Sequence, residues 1–137
     1  MITRAAIERD LVIIACAISA GIHAALIPDH WTEGAAAGAG FAIATVLLAA
    51  VAVALTRVVS TAALAATAML FGGLLASYGL AVTTGLPVFH PQPEAVDGLA
   101  LFTKAVELLG LLAATHLLWQ RRFAPFLSSP RLKGTLA

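Results

Sequence analysis

Residues 35–55 read AAAGAGFAIATVLLAAVAVAL, a run without a single charged side chain. A helix rises ~1.5 Å per residue, so about 20 apolar residues cross the hydrocarbon of a bilayer. Three more stretches are long and predominantly apolar, at residues 11–28, 58–82 and 99–119, the last carrying Lys104 and Glu107. Backbone polar groups in hydrocarbon must bond within their own segment, so each run is expected to be helical despite its valines and isoleucines. The expected fold is all-α: an integral membrane four-helix bundle, antiparallel, with both termini cytoplasmic and 1–137 forming a single transmembrane domain.

Composition points the same way. Of 137 residues, 61% are hydrophobic and 11% charged. A soluble domain has about 25% charged residues, and so small a chain could not screen this much apolar surface from water. A net charge of +1 leaves no basic stripe for phosphates, so no nucleic-acid partner is expected. The lone Cys16 excludes an intrachain disulfide and a thiolate-rich metal site, and reads as a small buried hydrophobe.

The connections set the topology. Thr56, Arg57 and a few neighbours link spans two and three, which implies a tight hairpin. Asp29-His30-Trp31-Thr32-Glu33 forms a short polar link between spans one and two. The outer loop, 83–98, holds Pro87, Pro91 and Pro93 and cannot be a regular helix. With both termini inside, Arg4, Arg9, Arg57, Arg121, Arg122, Arg131 and Lys133 are all cytoplasmic, and only Lys104 of the 8 Lys and Arg lies within a span. Location in the inner (plasma) membrane, as a multi-pass protein, follows. Trp31 and Trp119 mark the two interfaces. A cleaved leader ending near Ala17 or Ala20 is the rival reading of the N-terminus; Glu8 and Asp10 beside the arginines speak against it.

Close helix approach in lipid needs small residues. Gly34, Gly38 and Ala42 line up in span two, Cys16, Ala20 and Ala24 in span one, Gly72 and Ala76 with Gly73 and Ser77 in span three, and Gly110 and Ala114 in span four. Packing within the chain is the expected use, a homo-oligomer face the alternative.

Charge inside a membrane costs roughly 2.5–3.5 kcal/mol on insertion scales, so each such group needs a reason. His23 lies seven residues from His30, ~10 Å along a helix and on the same face. Glu107 lies at similar depth in span four. If spans one and four are neighbours, His23 and Glu107 can form a shared site. Lys104 and Glu107, three apart, can form an ion pair. His116 lies at the other end of span four, away from Glu107. His30 and Glu33, like Asp29 and Glu33, converge only if the helix continues past Asp29.

One reading is an outward-facing His/carboxylate site that binds a divalent metal ion or relays protons. Its candidate ligands are His23, His30, Glu33 and Glu107, with His90 and Asp29 as additions. Imidazole and carboxylate without thiolate suit zinc, copper(II), nickel or iron(II). The bland reading is equally concrete: the positive-inside rule empties outer loops of Lys and Arg by itself, and Glu94 and Asp97 suit the start of a helix. A bis-histidine haem does not fit, because His23 and His116 differ in depth. No nucleophile–base pair and no cofactor fingerprint is present, so a binding or accessory component is expected rather than an enzyme. The alternatives are a structural accessory subunit of a larger membrane complex and a dimeric proton-coupled small-molecule transporter.

The stretch from Gly21 to Glu33, GIHAALIPDHWTE, resembles a feature of small four-span bacterial membrane proteins in which a helix ends in a histidine, a proline-acid-histidine triplet and a glutamate. Gly85-Leu86-Pro87, Pro93-Glu94 and Glu107 resemble the same group's third loop and fourth span. The group has no established activity. The resemblance implies the architecture and marks His23, Pro28, His30, Glu33 and Glu107, without assigning chemistry. Small multidrug exporters are not resembled: they hold a glutamate in the first span, where this chain has a histidine.

The topology makes a prediction. In a Cys16→Ala background, Gln92→Cys should react with a membrane-impermeant maleimide on intact cells, and Thr56→Cys only after permeabilisation. The reverse pattern would invert the protein.

Overall fold

The computed structural model describes residues 3–89 and 91–127, with side chains to residue 123. His90, Arg131 and Lys133 therefore lie outside the described residues. Four α-helices account for most of the chain: α1 Arg4–Glu33, α2 Ala35–Arg57, α3 Thr61–Thr83 and α4 Gly98–Leu127. Among the described residues there is no strand. All four helices are long and apolar enough to cross a membrane.

Three of the four helix starts are capped by side chains, and α2 follows Gly34 without such a cap. Thr3 Oγ1 accepts from the Ala6 amide, Ser60 Oγ from Ala63, and Asp97 Oδ1 from Ala100 at 2.7 Å. Each satisfies an amide that the first helical turn leaves without a partner. Inside the helices, threonine hydroxyls donate to carbonyls one turn back: Thr45 to Phe41, Thr67 to Ala63 and Thr103 to Leu99. That disposes of their polarity without a second chain segment.

The polar stretch 29–33 is not a separate link. α1 continues through Pro28 to Glu33, and Gly34 alone joins it to α2. Proline removes one donor and crowds the carbonyl a turn earlier, but the helix resumes, and Thr32 Oγ1 donates to the Asp29 carbonyl at 2.7 Å. The described part of the loop folds back onto α3, where the Glu94 amide donates to the Ala81 carbonyl at 3.0 Å. Gly85 opens this loop with φ 73, in the left-handed region that glycine occupies at no steric cost.

Around the bundle the order is α2, α1, α4, α3, and the backbones of the diagonal pairs stay apart. Both helix termini of the chain fall at one end (the termini end), and the 84–97 loop closes the other (the loop end). α1 and α2 pack most extensively. α2 and α3 pack least, although only residues 58–60 connect them. The expected tight hairpin is thus tight in its connection but loose along its length.

The apolar core occupies the termini half: Val12 and Cys16 from α1, Leu48 and Leu55 from α2, Leu64 and Phe71 from α3, Ala114 and Leu117 from α4. Two glycines allow close helix approach, Gly110 beside this core and Gly38 at the loop end. A Cβ on Gly110 would strike the Phe71 ring and sit 2.9 Å from Ala15 Cβ. A Cβ on Gly38 would strike the Trp31 ring and sit 2.9 Å from Trp31 Cα. Gly72 and Gly73 in α3 face open space instead, so those two stripes are not used within the chain.

Gly110→Leu should therefore destabilise the detergent-solubilised protein by about 1–3 kcal/mol, the usual cost of overpacking. Gly73→Ala should be neutral or slightly stabilising. Thermal unfolding followed by circular dichroism distinguishes the two.

Candidate functional site

Charged and polar groups gather where the dry core ends. Glu107 of α4 is 0% exposed, and Ser19 and His23 of α1 are buried beside it. Both carboxylate oxygens of Glu107 are engaged. Lys104, one turn earlier on the same helix, donates from Nζ to Oε2 at 2.6 Å. Ser19 Oγ crosses from α1 and donates to Oε1 at 2.8 Å. Lys104 keeps 16% side-chain exposure and lies 5.4 Å from the centre of the Tyr78 ring. That arrangement lets the ammonium serve the carboxylate and still reach a polarisable face.

His23 does not bond Glu107 directly. Its Nδ1 donates to the Ser19 backbone carbonyl at 2.9 Å and lies 3.4 Å from Ser19 Oγ. A carbonyl can only accept, so Nδ1 bears the proton, and in the neutral ring Nε2 holds the lone pair. The hydrogen bonds therefore converge: His23 donates toward Ser19, Ser19 donates to Glu107, and Lys104 donates to Glu107 from the other side. The expected adjacency of spans one and four is present, and Ser19 is the bridge that sequence reasoning missed. Its signal was available, since residues 19 and 23 are one turn apart on one face.

Above this chain lies a cavity of about 300 Å³, walled by all four helices and roofed by the loop. His23, His30, Phe41, Tyr78, Lys104 and Phe89 are among its lining residues. Phe41 of α2 stacks edge-on against His30, with ring centres 3.8 Å apart, and tilts against His23 at 5.2 Å. The two histidines share one face of α1 and one cavity, as their seven-residue spacing predicts.

The remaining candidates are placed more loosely. His30 Nδ1 is 3.6 Å from Glu33 Oε2, so the two converge because the helix continues. Glu33 and Asp29 are exposed and do not line the cavity. Among the described residues no three His, Cys, Asp or Glu side chains come together as a metal-ligand set. At the termini end, His116 Nδ1 meets Glu8 Oε2 at 3.0 Å, and Arg4 Nε donates to Glu8 Oε1 at 2.8 Å. That cluster ties the start of α1 to α4, and its Glu8 was not foreseen.

In comparisons with known protein families, curated proteins and solved structures, the chain matches none. The site must therefore be understood from its own geometry.

Removing one partner of a buried ion pair leaves an uncompensated charge, at about 3–5 kcal/mol, whereas replacing both partners is far milder. Lys104→Met should lower stability by an amount in that range. The double variant Lys104→Met, Glu107→Leu should regain most of it. Thermal unfolding of the four proteins in a double-mutant cycle would expose a simple additive loss, which would contradict the pairing.

Proposed function

We propose that this chain is a small multi-pass protein of the inner (plasma) membrane, with both termini cytoplasmic. Its outward-facing His/carboxylate site relays protons between the loop-end cavity and Glu107. The observation that supports this reading is the row of polar atoms His23 Nδ1, Ser19 Oγ and Glu107 Oε1, 3.4 and 2.8 Å apart, in which Ser19 Oγ donates to Glu107.

The transfer balances without a further reagent. A donor in the cavity gives its proton to the lone pair on His23 Nε2. The Nδ1 proton passes to Ser19 Oγ as the Ser19 hydroxyl proton passes to Glu107 Oε1. Counting the donor's own bond, three N–H or O–H bonds break and three form (His23 Nε2–H, Ser19 Oγ–H and Glu107 Oε1–H), and one proton has moved from the cavity to the carboxylate. The 3.4 Å separation between His23 Nδ1 and Ser19 Oγ is the longest step and sets the pace. Neutralised Glu107 then holds Lys104 less tightly, which changes the floor of the cavity. The relay is local. Beyond Glu107 lies the apolar core of Val12, Leu48, Phe71 and Ala114.

Proton handling suits the geometry better than metal binding by the same residues, because both Glu107 oxygens already accept hydrogen bonds. A second reading, an accessory subunit of a larger membrane complex, is favoured by Gly72 and Gly73 of α3, where an added Cβ would meet no atom of the described residues within 4 Å.

Infrared spectroscopy tests the relay. After a downward pH jump, a protonated-carboxyl band absent from Glu107→Gln should appear in the wild type. Ser19→Ala and His23→Phe should slow its appearance at least about tenfold, at the low end of what a positioned proton-transfer group contributes. Unchanged rates in both variants would end the proposal.

A further inference from the structure

The described arginines are gathered at one end of the bundle. Arg4, Arg9, Arg57, Arg121 and Arg122 all stand at the termini end, where Glu8 and Asp10 are the only described carboxylates. Topology alone sorts basic residues to one side of a membrane, so their number is no sign of a site. Their placement is more specific. An open cleft of about 420 Å³ enters the bundle at this end, between the start of α1, the 58–60 link and α4. Part of its wall is apolar, with Ala6, Val59 and Leu117. Arg9, from α1, and Arg121, from α4, line the same cleft.

Both guanidinium groups have donors to spare. Arg121 makes no hydrogen bond or ion pair among the described residues. Arg9 gives Nε and Nη2 to one oxygen of Asp10, at 2.8 and 2.7 Å, which leaves Nη1 uncommitted. The Asp10 side chain is 53% exposed and does not line the cleft, so this is a surface pair and weakly held. Two planar guanidinium groups from neighbouring helices suit a phosphate oxyanion, whose oxygens accept paired N–H groups. Thr3 and Gln120 add uncharged hydrogen-bonding groups beside them. Depth points to the source of that phosphate. Arg9 precedes the apolar run 11–28 and Arg121 follows the run 99–119, each by two residues. The cleft therefore opens at the level of the lipid headgroups, and the exposed Trp119 marks the same boundary. Five arginines against two carboxylates around it favour a lipid of net negative charge over a zwitterionic one, whose ammonium would meet them.

We infer that this cleft binds the headgroup phosphate of an anionic phospholipid through Arg9 and Arg121. The acyl chains stay in the bilayer beside the bundle, and the bound headgroup ties α1 to α4 at the end where the chain begins. The inference rests on the chain spanning a membrane. It depends neither on which side the termini face nor on the proton relay.

The test uses the full chain, delipidated in an uncharged detergent and titrated with phosphatidylglycerol, with phosphatidylcholine and inorganic phosphate as separate arms. Binding is read by native mass spectrometry and by the rise in Tm. Saturable binding of phosphatidylglycerol is expected, with phosphatidylcholine bound more weakly and inorganic phosphate without effect at the same concentrations. The double variant Arg9→Gln, Arg121→Gln should weaken it at least about tenfold, the low end of what a hydrogen bond to a charged group contributes. The double variant Arg57→Gln, Arg122→Gln removes the same charge away from the cleft and should bind like the wild type, with circular dichroism unchanged in both. Equal weakening in the two double variants would show a diffuse basic surface and overturn the site. Absence of saturable binding to the folded wild type would overturn it too, as would equal affinity for phosphatidylcholine. Inorganic phosphate that raises Tm as much as the lipid does, through the same two arginines, would overturn the lipid as occupant. Recovery of the chain from the membrane fraction checks the membrane reading separately, and an intact infrared response of Glu107 would leave the relay standing whatever the lipid result.

Discussion

Glu107 presents two carboxylate oxygens to an interior of apolar helices, and both must be met by donors. An isolated carboxylate cannot be kept in such a place, because the cost of leaving water is many times the stability of a small protein. Lys104 supplies one donor from the same helix, a local solution that any helix with this spacing provides. Ser19 supplies the other from α1, and that is a tertiary requirement. It demands that α1 lie against α4 at this depth and in this rotation. Once that pair is set, α2 follows on the other side of α1 through the single residue Gly34, and α3 closes on α4 through Phe71 and Gly110.

The polar chain also divides the bundle into two unlike halves. Toward the termini, Val12, Leu48, Leu64, Phe71 and Leu117 pack into one apolar core between the helices. Toward the loop, histidines, aromatic rings and a lysine replace aliphatic side chains, and their less regular shapes leave room. The sparse α2–α3 seam completes the asymmetry. Membrane helices gain no hydrophobic advantage from touching each other. A seam without small residues in close approach therefore stays loose, and in this protein the glycines that would close it point elsewhere.

Much of the architecture was legible in the residue order. Four long apolar runs could be nothing but helices, and the Pro-rich 83–98 segment could be nothing but a loop. The pairing of Lys104 with Glu107 followed from a spacing of three. The shared face of His23 and His30 followed from a spacing of seven. Other features were hidden for identifiable reasons. Pro28 suggested an end to the first helix, yet the backbone resumed beyond it because only one hydrogen bond is lost. Ser19 stands one turn from His23 but was passed over, because serines in membrane helices usually bond their own backbone. Glu8 counted in the sequence only as an argument against a cleaved leader, and its partner His116 came alongside from α4.

Local chemistry determined the helices, their number and the in-helix pairs, since hydropathy and the 3.6-residue repeat act within one segment. Only the tertiary structure decided which histidine nitrogen is free, that Ser19 joins His23 to Glu107, and that Tyr78 stands with its hydroxyl unsatisfied beside a cavity. Those depend on the rotation of each helix about its own axis. Rotation is set by the sum of many small packing contacts between segments far apart in the chain, and no single stretch of sequence contains that sum.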